Sequence, residues 1–315
     1  IKEFNETAEI MRSNIDQCLW TITPLSQNPT SPAQGALGIE VSQKNKNLIE
    51  IIKKISDQET FDCVNMERNI LKNYGGGCHQ KIGVSYFRTH FGLMKAKKGE
   101  TDEGIKFYSW EKDDPNSHLT KKIKEDQIYP HSLKNYNLFE RENILDSVKK
   151  INVISQHCFW ISRSSALPND AQINSTNIVW ASGIRTWKSL RDRGIWVNGT
   201  ADGMGENADH NIDNLTSNPW IKLTHKFAPR TKIKDVINTY ILKELPIDEN
   251  IIDKKYFYWM SFSAFEYVLK QYPQIIEGYH ACGPGNTYEA LKKVIKDPKR
   301  LKIELSYNVW KKKLV

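Results

Sequence analysis

A chain of 315 residues, 39% hydrophobic and 26% charged, has room for roughly two or three compact units, and its composition excludes the disordered and fibrous classes. Its formal net charge of +8 comes from lysines spread along the chain, which does not point to nucleic acid; a substrate carrying several carboxylates suits such an excess of cations. No run approaches the about eighteen apolar residues of a membrane helix and no basic-then-apolar leader opens the chain, so a cytoplasmic protein without membrane association is expected.

In chain order, residues 42–57 set Leu48, Ile51, Ile52 and Ile55 at helical spacing with lysines opposite, which predicts an amphipathic helix. A second helix is predicted over 59–73, burying Phe61, Val64, Ile70 and Leu71 and stopping where Gly75, Gly76 and Gly77 remove any preference for continuing. Residues 82–86 and 104–110 read as strands joined by a charged connection. Residues 112–137 are polar with little periodicity, and 143–150 predict a helix that closes this α+β unit at a boundary near 155. Beyond it, strand-like runs at 158–162, 178–181 and 195–198 alternate with a helix at 184–193, the pattern of an α/β fold. Residues 231–245 suit a helix or a strand, and 256–260, 263–271, 278–282 and 287–295 read as strand, helix, strand and helix. Trp180, Trp187, Trp196 and Trp220 are expected in the core or at a hinge. Cys18, Cys63, Cys78, Cys158 and Cys282 are odd in number and lack metal-ligand spacing, so reduced thiols are expected and neither a disulfide framework nor a metal site.

Chemistry is concentrated in three short stretches. Pro32-Ala33-Gln34-Gly35-Ala36-Leu37-Gly38-Ile39-Glu40 is followed, after the two helices, by Glu67-Arg68 and then by Gly75-Gly76-Gly77-Cys78-His79-Gln80-Lys81-Ile82-Gly83-Val84. In order and spacing these resemble the later part of hydroxymethylbilane synthase, also called porphobilinogen deaminase, with its PAxGQGAxGIE-like stretch, ER pair and GGC-xx-PIG-like loop. The chain departs from that pattern in running from Ala33 straight to Gln34-Gly35 and in carrying Lys81 where proline is common. The resemblance implies that Cys78, flanked by Gly76 and Gly77, holds a dipyrromethane cofactor through a thioether. Porphobilinogen would be polymerised on it and released as a linear tetrapyrrole, a step of porphyrin and haem synthesis. A tether on a glycine-flanked loop suits that task, because the growing product stays attached while its end returns to one catalytic site. Gln34 and the backbone around Gly35 either form a tight turn or approach the tetrapyrrole. Glu67 and Arg68 read as an exposed helical pair or as part of the site, and His79 as a solvated residue or as a group lowering the thiol pKa.

This resemblance covers residues 20–110 and extends loosely to 150. It implies that the proton-handling aspartate and the carboxylate-binding arginines lie in two preceding domains, upstream of Ile1. No catalytic acid or base is therefore assigned here, and a separately encoded N-terminal synthase half is the expected partner. Residues 1–40 are assigned to the remnant of those domains and 41–155 to the cofactor-anchoring C-terminal domain.

The final third offers two further turns, Trp259-Met260-Ser261-Phe262-Ser263-Ala264-Phe265 and His280-Ala281-Cys282-Gly283-Pro284-Gly285-Asn286-Thr287, each between a strand and a helix. Such turns present backbone N–H groups at a helix N-terminus, an arrangement suited to carboxylates. The pair is similar to the second half of uroporphyrinogen-III synthase, although Gly283 to Thr287 has one residue more than that pattern. This implies that Ser261, Ser263, Gly283 and Thr287 face a substrate cleft in a domain spanning 156–315, which would invert the last ring of the linear tetrapyrrole and cyclise it. The Ser182-Gly183 turn, with Arg185 close by, is an anion site or a helix cap, and residues 198–206 lack the P-loop lysine and read as an ordinary loop. The expected fold is an α+β hydroxymethylbilane synthase C-terminal domain followed by an α/β uroporphyrinogen-III synthase-like domain. The alternative is a catalytically silent scaffold subunit that presents Cys78 and the cleft to its partner.

Overall fold

A computed structural model describes residues 5–75, 81–113, 122–134, 136–208, 210, 212–247 and 250–315. By packing, the chain divides into Thr23–His118 and a second unit formed by Ile1–Ile22 with Leu119–Val315. After helix α1 (Asn5–Asp16), the first of these units opens with helices α2 (Lys46–Lys53) and α3 (Gln58–Asn73). Each has a side-chain cap: Asn45 accepts the Leu48 N–H at 3.1 Å, and the Asp57 carboxylate accepts that of Thr60 at 2.6 Å, a bond that holds Asp57 below the usual carboxylate range. Strands β1 (Ile82–Thr89), β2 (Gly92–Glu100) and β3 (Lys106–Lys112) follow as an antiparallel sheet in that order.

Three expectations change in this unit. The helix predicted over 42–57 contracts to α2, which buries none of its residues, so Leu48 and Ile51 stay exposed. Helix α3 turns Cys63 and Glu67 inward and leaves Phe61 56% exposed, because the stripe that meets β1 is the pair four residues apart. The charged connection is strand β2, in which Lys95 and Lys97 alternate with the wholly buried Met94 and Ala96. Lysines at every second position disguised a period of two as a polar loop.

Among the described residues, the second unit holds two sheets. Strands β4 (Ile128–Tyr129) and β5 (Phe139–Asn143) are followed by helix α4 (Asp146–Asn152), β6 (Cys158–Ile161), β7 (Ile178–Ala181), helix α5 (Ile184–Asp192), β8 (Gly199–Thr200), β9 (Trp220–His225) and β10 (Asp235–Glu244). The chain then forms β11 (Tyr256–Trp259), α6 (Phe262–Gln271), β12 (Tyr279–Cys282), α7 (Asn286–Val294), β13 (Leu301–Ile303) and α8 (Tyr307–Leu314). One sheet has the order β5-β10-β9-β6-β7-β8, parallel except where β5 meets β10, and the other is parallel with the order β13-β12-β11-β4. The chain thus begins the four-stranded sheet at β4, crosses along β5, builds the six-stranded sheet, returns along β10 and completes the first. All four residues of β6 are buried, as befits a parallel strand covered on both faces. Phe159, Ile161, Val179, Leu190 and Leu223 form one core, and Phe257, Trp259, Phe265, Leu291 and Ile295 another.

The sequence-derived boundaries differ from this division. The helix expected over 143–150 to close the first unit is α4, but it packs on β10, and β5 just before it pairs with β10, so by packing the breaks fall at 22/23 and 118/119 rather than near 40 and 155. The ambiguous 231–245 segment is strand β10, fixed by partners on both sides. The strand expected at 195–198 is displaced to β8, and Trp196, expected in the core or at a hinge, is 48% exposed and so not a core residue. Among the described residues the fold is mixed α/β with three sheets. Among the described residues no helix is long and apolar enough to cross a membrane, and no His, Cys, Asp and Glu cluster could hold a metal ion.

Candidate functional site

Cys78, Gly76 and Gly77 lie outside the described residues. Before them, the chain leaves α3 through Gly75 at φ +91, a left-handed conformation that glycine adopts without strain. Gln34 is exposed in a turn between Ala33 (φ +64) and Gly35 (φ +82). That turn is held by Glu67, which is 7% exposed: Oε2 accepts the Ala33 N–H and Oε1 the Tyr86 N–H, each at 2.8 Å. One buried carboxylate therefore ties the Gln34 turn, α3 and β1 together. The preceding residues run along β1, with the Val84 N–H donating to the Thr30 carbonyl at 2.8 Å. Of the Glu67-Arg68 pair, only Arg68 is the exposed helical residue that the sequence allowed.

A second site is built at the ends of the parallel strands in the other unit, where loops of α/β sheets gather. Arg163 follows β6, Arg185 lies in the first turn of α5 after β7, His225 ends β9, and Arg141 sits on the crossing strand β5. With Ser261 and Ser263, from the turn after β11, they line a cavity of about 240 Å³ between the two sheets. Ser261 also caps α6, accepting the Ala264 N–H at 3.3 Å. Among the described residues, no carboxylate pairs with Arg141, Arg163 or Arg185. Burial pulls the Arg163 guanidinium below its ordinary pKa, and the Arg141 cation adds to the effect. A guanidinium nonetheless stays charged near neutral pH. His225 is pushed down to about 4 by burial and by the cations of Arg163 and Lys222, so its ring is neutral.

Three guanidinium groups converge on one cavity, where like charges repel; Arg141 and Arg185 are exposed, and half-buried Arg163 lacks an anion that would offset its desolvation. Planar guanidinium forks match carboxylates in charge and geometry, and the serine hydroxyls add neutral donors. The arrangement can hold a ligand with several carboxylates, and the neutral imidazole can donate or accept a hydrogen bond beside it.

Of the four positions expected to face a cleft, Ser261 and Ser263 line this cavity and Gly283 and Thr287 do not. Space beside Gly283 is open, and Thr287 is half-buried in the first turn of α7. Arg185 was noted beside its turn, whereas Arg141, Arg163 and His225 were missed. The available signal was Arg163 itself, a cation two residues after the apolar run Cys158-Phe159-Trp160-Ile161.

No protein-family model and no solved structure matches the chain. Among curated proteins it is 46% identical over 51 residues to the porphobilinogen deaminase of Alkaliphilus metalliredigens, covering 16% of each chain. It is 35% identical over 78 residues to that of Kluyveromyces lactis, covering 25% of this chain and 24% of the relative. With that of Caldicellulosiruptor saccharolyticus it shares 36% identity over 77 residues, 24% of this chain and 26% of the relative. The chain spans about a quarter or less of the length of these relatives. Part of it is thus related to hydroxymethylbilane synthase.

Proposed function

We propose that the chain acts in tetrapyrrole synthesis as the cofactor-carrying part of a hydroxymethylbilane synthase, with porphobilinogen as its substrate and a dipyrromethane held through Cys78. The observation that carries this reading is the similarity to porphobilinogen deaminases, 46% over 51 residues in one case, in a chain that has Gly76-Gly77-Cys78 after a helix stapled by a buried glutamate. The bound dipyrromethane would supply the primer for pyrrole addition. The chain's own residues hold the frame around the anchor: Glu67 fixes α3, β1 and the Gln34 turn, from which Gln34 can reach the product. In this reading a separate N-terminal synthase polypeptide supplies the acid and base. The test is intact-protein mass spectrometry after co-expression with such a polypeptide in a host that makes porphobilinogen. A dipyrromethane adduct, lost in Cys78→Ser, is expected; an unmodified thiol would sink the reading. With the adduct present, turnover of porphobilinogen separates a synthase from a silent scaffold.

A second activity is favoured by the arginine cavity. Its size suits one carboxylated pyrrole ring, with the rest of a linear tetrapyrrole running outside. We read the second unit as uroporphyrinogen-III synthase-like, its domain taking in β4 and β5 as well as residues 156–315. Arg141, Arg163 and Arg185 would bind the carboxylates, Ser261 and Ser263 would add hydrogen bonds, and the turn of Gly283 and Thr287 would meet a more distant part of the substrate. The chain's role would be to hold the tetrapyrrole in the shape that closes with loss of water. Chemically generated hydroxymethylbilane should then yield the III isomer; formation of the spontaneous I isomer alone would reject this activity.

A further inference from the structure

Lys222 is a cation in the middle of a six-stranded sheet, with Ile221 and Leu223 on either side of it in β9. Its Nζ lies 2.6 Å from Glu206 Oε1, and the two side chains are 6% and 1% exposed. Desolvation cancels most of the attraction in such a pair, so the pair contributes more to position than to net stability. The same Glu206 Oε1 accepts a second hydrogen bond, from Asn286 Nδ2 at 3.1 Å. Asn286 opens α7, the helix between β12 and β13 of the four-stranded sheet. One carboxylate thus joins a strand of the first sheet to a helix of the second.

The backbone is shaped for the same contact. Gly203, Gly205 and Gly285 have φ of +83, +85 and +95. A Cβ on Gly285 would lie 2.9 Å from the Gly203 carbonyl oxygen and 3.1 Å from the Gly205 nitrogen, and one on Gly205 would lie 3.0 Å from Asn286 Oδ1. Glycine therefore answers both demands, the left-handed conformation and the approach of one loop to the other. The contact is also continuous with the arginine cavity. The Gly203 N–H donates to the Ser182 carbonyl at 3.0 Å, at the turn that leads into Arg185, and Lys222 is close enough to depress the pKa of His225. Lys222, Glu206 and Asn286 are not part of that cavity's lining.

We infer that Glu206, with Lys222, Asn286 and the facing glycines, is a latch between the two sheets that sets the spacing of the cavity's arginines and serines, making these groups positioning residues for a polycarboxylate ligand. The inference rests on reading the cavity as a carboxylate site. It is tested in the full chain, carrying spin labels at Lys188→Cys on α5 and Lys270→Cys on α6 in a Cys18→Ser, Cys78→Ser background, with uroporphyrin as the polycarboxylate probe. Asn286→Ala, Glu206→Gln and Gly285→Ala should each broaden the inter-label distance distribution and weaken uroporphyrin binding by roughly tenfold. A distribution identical to that of the parent in Asn286→Ala and Glu206→Gln overturns the latch. So does a broadened distribution with unchanged affinity. A parent protein that binds no uroporphyrin defeats the carboxylate reading alone, and the distance distributions then decide the latch: unchanged they reject it, broadened they uphold the link between the sheets.

Discussion

Mild acid is expected to destabilise the second unit through one buried imidazole. His280 is 2% exposed, its ring stacked on Phe257 at a centroid separation of 5.2 Å, and its Nδ1 accepts the Trp259 Nε1–H at 2.9 Å. With Nδ1 serving as an acceptor, the neutral ring carries its proton on Nε2. Burial pushes the pKa down to about 4, and the Arg300 cation acts in the same direction. Near pH 7 the group is neutral in both folded and unfolded chains, and its full contribution to stability is present. As the pH falls below about 6.5, the unfolded chain binds a proton that the folded chain refuses, and stability is lost until the pH passes about 4. That interval, at about 1.4 kcal/mol per pH unit, amounts to about 3 kcal/mol. His280→Asn removes the titration while its Oδ1 can still accept the Trp259 N–H. Urea unfolding followed by tryptophan fluorescence between pH 7 and pH 4 should therefore show the stability of the parent, minus that of the variant, falling by about 3 kcal/mol. Carboxylates that titrate in the same window cancel in this difference. His225 shifts in the same direction, but its partial exposure reduces its share. A difference that stays flat across the interval refutes the burial argument.

Other substitutions separate binding from stability. Arg163→Met should raise the urea stability of the ligand-free protein by about 1–3 kcal/mol, because a desolvated cation without a carboxylate partner is replaced by an apolar chain of similar length, while uroporphyrin titration shows lost affinity. Lower stability with unchanged affinity would contradict the site. Glu67→Ala removes the acceptor of two backbone N–H groups and should cost about 2–4 kcal/mol, read locally as faster hydrogen exchange at Ala33 and Tyr86; unchanged protection there would show that the staple is dispensable. Glu206→Ala leaves Lys222 buried without its carboxylate and should cost about 3–5 kcal/mol in urea unfolding, of which adding Lys222→Met recovers most. A double variant no more stable than Glu206→Ala would mean that the packing of Glu206, not its charge, supports the loop.

What the sequence made legible was whatever local chemistry decides. Gly75 marks the end of α3 by its backbone freedom, and short apolar runs mark β6, β7, β11 and β12 because parallel strands are covered on both faces; the Asp57 cap at the start of α3 was hidden in the helix predicted over 42–57. Strand β10 was ambiguous for the complementary reason: Ile233, Val236, Ile237, Tyr240 and Ile241 fit a helical stripe, and only the pairing with β9 and β5, set by the tertiary fold, selects the extended form. The Cys78 motif was readable as a pattern of residues, independent of any geometry. The arginine cavity was not, since Arg141, Arg163 and Arg185 meet only where a crossing strand approaches two strand-to-helix turns.

Buried charge shows most clearly where such reading stops. A lysine between Ile221 and Leu223 in a central strand requires a carboxylate, because an isolated ammonium cannot stay charged away from water. That requirement can be written down from the sequence once β9 is suspected. Its answer cannot, because the chain offers 37 aspartates and glutamates, and Glu206 lies in a glycine-rich stretch that reads as an ordinary loop. The same holds for Glu67, whose neighbour Arg68 suggests a surface pair although the carboxylate is turned toward two backbone N–H groups. In both cases the residue type announces that a partner exists and the fold alone chooses it. Charged residues in apolar runs, and cations just past strand ends, are therefore the positions in this chain at which a sequence reading should expect a site before it can name one.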